Sequence, residues 1–129
     1  MKSMIVLLSV FFILISCSDE SLTNCNYNIG EIMEVTIPDT VIVNKVYEVE
    51  IEYSLPNICY SFKKIETEID NKNLNIDILA CKNSDGDCPQ ALVYRTVKKE
   101  IVFSEMGTFN ISLEYNPNYK KVLVIEWKY

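Results

Sequence analysis

From Ile29 onward, apolar and polar residues alternate with a period of two, the spacing of a half-buried β-strand rather than a helix. Met33, Val35 and Ile37 alternate with Glu34 and Thr36, and Pro38 stops the run. Tyr47, Val49, Ile51 and Tyr53 alternate with Glu48, Glu50 and Glu52, as in a strand with one face on a core and one in water. Ile65, Thr67 and Ile69 oppose Lys64, Glu66 and Glu68. Asp70-Asn71-Lys72-Asn73 has turn composition and leads into Leu74, Ile76 and Ile78, so this stretch predicts a hairpin. Val93 to Phe103 is longer and carries Lys98-Lys99-Glu100 in its middle, which predicts a bulge or an edge position. Phe109, Ile111, Leu113 and Tyr115 form a sixth row; Leu123, Ile125, Trp127 and Tyr129 form a seventh.

Seven short strands and no segment of helical period predict an all-β chain, a seven-stranded antiparallel sandwich over residues 29–129. A closed barrel is the alternative. Gly107-Thr108-Phe109 resembles the Gly-x-aromatic start of a strand in many immunoglobulin-like domains, which makes the expected sandwich immunoglobulin-like. The expected core is Val35, Val49, Ile51, Ile65, Ile76, Ile111, Leu113, Ile125 and Trp127. Strands running alternately down and up place the start of the first strand and the loops 56–61, 81–88 and 116–119 at one pole, which gathers Cys25, Cys59, Cys81 and Cys88.

Ahead of this domain, Lys2 and the apolar run Met4 to Ile15 have the form of a signal peptide, too short to span a bilayer comfortably. Leu14-Ile15-Ser16-Cys17 resembles the lipobox of bacterial lipoproteins. The expected organisation is a lipoprotein signal peptide over 1–16, a lipidated Cys17 with a polar tether over 17–28, and the sandwich over 29–129. Ser18-Asp19-Glu20 resembles the acidic start of Bacteroidetes lipoproteins displayed at the outer face. The expected location is the outer membrane, periplasmic or surface-exposed, held by the lipid anchor.

Charge and composition narrow the chemistry. The chain has 18 acidic and 12 basic residues, a net charge of −6, and Arg95 is its one arginine, so nucleic acid is a poor partner. Histidine is absent, which removes imidazole bases and imidazole metal ligands. The four cysteines besides Cys17 contain no C-x₂-C pair and, in an exported chain, read as two disulfides rather than a metal site. Sequence neighbours would join Cys81 to Cys88 and Cys25 to Cys59; other pairings stay open. Asn83-Ser84-Asp85-Gly86-Asp87 looks like part of a calcium loop, but the pattern would put Cys81 and Leu92 where carboxylates are required. Glu48, Glu50 and Glu52 line a solvent face, and no nucleophile elbow or phosphate loop is present. No enzyme, metal or cofactor is expected. Tyr60 and Tyr119, in loops at the cysteine pole, are candidate contacts for a protein or glycan, or else caps on the open end of the sandwich. Asp39-Thr40-Val41, expected in the turn between the first two strands, resembles the O-glycosylation acceptor of Bacteroidetes, making Thr40 a candidate modification site.

Leu55-Pro56-Asn57-Ile58-Cys59-Tyr60-Ser61-Phe62, Cys88-Pro89-Gln90-Ala91-Leu92 and Gly107-Thr108-Phe109, behind a Cys-Ser-Asp-Glu start, together resemble a group of uncharacterised Bacteroidetes lipoproteins. The resemblance implies Cys59 bonded to Cys88, and with it Cys25 to Cys81. The expected function is a non-catalytic envelope module that binds a partner protein or glycan; the alternative is a structural accessory lipoprotein of an envelope complex.

Overall fold

The computed structural model describes residues 24–83 and 86–128. The signal peptide, Cys17 and the Ser18-Asp19-Glu20 start lie outside the described residues, as do Ser84 and Asp85. The described chain is a two-sheet β-sandwich of nine strands: β1 Asn24–Tyr27, β2 Glu31–Thr36, β3 Thr40–Ile42, β4 Val46–Leu55, β5 Tyr60–Asp70, β6 Asn73–Lys82, β7 Val93–Val102, β8 Gly107–Leu113 and β9 Asn116–Ile125. One sheet runs β1-β6-β8-β9-β3 with β5 also on β6; the other runs β2-β4-β7. The core between them includes Val35, Val49, Ile51, Leu74, Ile76, Phe103, Phe109 and Ile111, with the Phe103 and Phe109 rings edge to face at 4.9 Å. Tyr53 and Phe62, 5.2 Å apart, join the sheets nearer the cysteine pole.

Two strands exceed the expected seven. Asn24–Tyr27 is polar and was expected to belong to the tether, yet it pairs with β6 residue for residue, Cys25 opposite Cys81, so these four residues are part of the sandwich. Asp39-Thr40-Val41 was expected to lie in a turn; Thr40–Ile42 is a strand instead, with Val41 buried, and β3 lies parallel to β9. The sandwich is therefore not wholly antiparallel, since β6 and β8 also run parallel over residues 73–75 and 110–112. The 70–73 turn forms as expected, with Asn71 and Lys72 both at positive φ, as a two-residue hairpin in a right-twisted sheet requires. β7 is an edge strand without a bulge, in continuous register with β4 from Val93 to Val102. Register shifts fall instead in β2 between Ile32 and Glu34, in β5 between Phe62 and Lys64 and in β8 between Ile111 and Leu113, and the first turns Met33 out of its expected row.

The last row is out of phase. Val122 and Val124 are buried, while Ile125 is 40% and Trp127 61% exposed, so both leave the expected core. Pairing with β8 sets the phase: Phe109 sits opposite Val122 and turns that side inward.

Candidate functional site

The cysteines form two bridges, Cys25–Cys81 and Cys59–Cys88. The first crosses adjacent strands. The second is aimed by the loop before β5: the Cys59 N–H donates to the buried Asn57 Oδ1 at 3.0 Å, an Asx turn, and the Asn83 N–H donates to the Cys59 carbonyl at 2.8 Å. Both bridges lie at the end of the sandwich where β6 finishes.

The tyrosines expected there separate. Tyr60 starts β5 opposite Lys82, Tyr119 is on β9, and β6 and β8 stand between them. Both are half-buried against the core, and the Tyr119 hydroxyl accepts the Val35 N–H at 3.1 Å. Thr40 is exposed at the first position of β3 rather than in a turn.

A concave site arises elsewhere, from the way β6 shares one of its edges. β8 covers that edge over residues 73–75 and β1 covers it over 79–82. Between them no strand continues. Asn28 fills the step: at φ 57° its backbone N–H donates to the Ile78 carbonyl at 2.7 Å, its Oδ1 accepts the Ile78 N–H at 3.2 Å, and its Nδ2 donates to Asp77 at 3.1 Å. Beside this step opens a notch of about 190 Å³, floored by Ile76 and Leu113. Glu31 and Met33 stand on one wall, and Glu114 and Tyr115 of the β8–β9 turn stand on the other. Tyr115 is 69% exposed.

Gly30 lets this wall approach β4, since a Cβ there would lie 2.4 Å from the Ser54 carbonyl oxygen, which belongs to a strand that cannot move aside. Gly30→Ala should therefore push the start of β2 away from β4 and cost roughly 1–3 kcal/mol, read by urea unfolding. An unchanged midpoint would show that the close approach is not required.

An acidic face extends away from the notch. Residues directly opposite one another on paired strands share a face, so Glu34 with Glu52, and Glu48 with Glu100, lie together on the outer side of the three-stranded sheet with Glu31 and Glu50. Lys98, 2.7 Å from Glu48, is held above the usual lysine range by that hydrogen bond. On the other sheet, Glu66 is held below the usual glutamate range by hydrogen bonds from Lys64 and Tyr27, and the same contact raises the Tyr27 phenol; this ties β1 to β5 across β6. Burial raises Tyr53. Among the described residues no group of three or more cysteines and carboxylates is arranged to hold a metal ion. Alternation alone hid the notch: Tyr115 continues the row Phe109, Ile111, Leu113, but the chain turns at Glu114-Tyr115, for which Pro117 two residues later was the available signal.

The fold and its two bridges define a disulfide-tied β-sandwich domain. The model of the ORF11 beta-sandwich domain matches residues 49–118, more than half of the chain, and the chain belongs to that family. The matched span runs from within β4 to within β9; it contains the floor and the Tyr115 wall of the notch but not the 28–33 wall. Neither the curated proteins nor the solved structures contain a match.

Proposed function

We propose that this chain is an envelope lipoprotein, anchored through Cys17 at the outer membrane and facing the periplasm or the exterior, whose immunoglobulin-like sandwich is a non-catalytic module binding a partner protein or glycan. The lipobox and the tether support the anchor, and two disulfides suit an oxidising compartment. The observation that carries the binding role is the notch, where an exposed tyrosine, two carboxylates and apolar floor residues converge on a concavity. Affinity capture from envelope fractions and a glycan array, both with the full chain, test it. Tyr115→Ala should leave stability within about 0.5 kcal/mol and weaken the captured interaction by roughly 30-fold or more, as for a central aromatic anchor. Capture that survives the substitution intact would place binding elsewhere.

The alternative, a structural accessory of an envelope complex, has its own support. Leu123 and Ile125 project outward from β9, with Trp127 just beyond, an apolar row suited to lasting burial against a second protein. For Thr40, exposure on an edge strand supports glycosylation. Intact mass of protein from its native cell should show a sugar that Thr40→Ala removes, and an unmodified mass would dismiss it.

A further inference from the structure

The notch is one part of a longer groove. A second hollow of about 230 Å³ shares Gly30, Glu31 and Tyr115 with it, and a third of about 300 Å³, lined by Glu52, Tyr94 and Arg95, shares Met33. The three follow the chain from residue 28 to 33, a length suited to an extended segment rather than a compact ligand. The notch itself is smaller than the roughly 300–1,000 Å³ of pockets for drug-sized ligands, so it takes one side chain.

Charge selects which side chain. No lysine or arginine lines the notch, and the Glu31 and Glu114 carboxylates have no ion pair or hydrogen bond among the described residues. Glu31 also begins the outer face that carries Glu34, Glu48, Glu50, Glu52 and Glu100, on which the Lys98–Glu48 contact is the one ion pair among the described residues. A cation beside this face is attracted by the summed field, and over the Tyr115 ring it is attracted by the ring quadrupole as well. A neutral sugar would hydrogen-bond the same carboxylates but gain nothing from the field.

Building on the binding role proposed above, we infer that the groove along residues 28–33 binds an extended, basic segment of a partner protein, one arginine or lysine side chain entering the notch between Glu31 and Glu114 against Tyr115. The remaining backbone of the segment follows the groove past Met33, where Arg95 shares the third hollow with Glu52 and leaves the notch as the site for the basic side chain. Binding is then salt-dependent and specific for charge.

The test is a ¹⁵N NMR titration of the full chain in non-ionic detergent with three probes: acetyl-Gly-Gly-Arg-Gly-Gly-amide, the same peptide with uncharged citrulline for arginine, and methyl glycosides. The arginine peptide should shift the amides of Gly30, Tyr115 and Asn116, and the citrulline peptide should bind about tenfold more weakly. Glu31→Gln with Glu114→Gln, at exposed positions, should abolish that difference while leaving the spectrum otherwise folded. Equal shifts from arginine and citrulline overturn the inference. Shifts at the notch from a glycoside but not from arginine overturn it too, and leave the binding role standing with a glycan as ligand. Silence at the notch from every probe overturns the inference, while the capture experiment with Tyr115→Ala decides the binding role independently.

Discussion

Cys25→Ala combined with Cys81→Ala should lower the unfolding free energy by about 4 kcal/mol, the chain-entropy value for a closed loop of this length; the bridge spans 56 residues. For a domain of this size that is a fall of roughly 20 °C or more in Tm. The double substitution leaves neither Cys25 nor Cys81 as a free thiol to mispair. The cost is concentrated at β1, which has four residues and pairs only with β6. Without the bridge such a strand has little to hold it, and the contacts that depend on it are lost: the Tyr27–Glu66 hydrogen bond and the three bonds of Asn28 that close the step beside the notch. Thermal unfolding gives the global effect, and hydrogen exchange at the Asn28 amide gives the local one. A loss under about 1 kcal/mol would mean that strand pairing alone fastens β1, because the entropic gain from a loop this long would then be missing. The Cys59–Cys88 bridge, with a separation of 29 residues, should contribute somewhat less, about 3.6 kcal/mol on the same model.

The parts of this fold that the sequence made legible are those in which one face of a strand is buried and the other is charged. β4 is the clearest: Glu48, Glu50 and Glu52 leave Val49 and Ile51 no choice of side. The hairpin of β5 and β6 was legible for the same reason, helped by Asn71 at a left-handed position. In β9 the run Val122-Leu123-Val124-Ile125 is apolar at every position, so alternation carries no phase; pairing with Phe109 on β8 decides it, and that is a long-range fact. β3 is three residues long and its partner is β9, some eighty residues away, so nothing local marks it as a strand. β1 reads as polar tether because a disulfide rather than apolar burial fastens it. The notch was least legible of all, since it exists only because β1 and β8 meet β6 at different heights, and neither strand records that in its own residues.

Phe103→Ala should cost about 4 kcal/mol, within the usual range for emptying a buried aromatic site. The side chain is 0% exposed and its ring meets Phe109 edge to face. The backbone around it is fixed independently, since the Phe103 carbonyl accepts the Asn44 N–H at 2.7 Å, so the segment cannot easily collapse into the cavity. Phe103→Leu keeps most of the volume and should cost nearer 1–2 kcal/mol. Trp127→Ala is the matched comparison, because strict alternation in the last strand would make Trp127 a core residue, whereas the structure leaves it 61% exposed. Removing it should change stability by no more than about 0.5 kcal/mol. Urea unfolding of the three variants measures all of this on one scale. If Trp127→Ala costs more than Phe103→Ala, the phase of β9 is the reverse of the one described, with Leu123 and Ile125 inside and Val122 and Val124 outside.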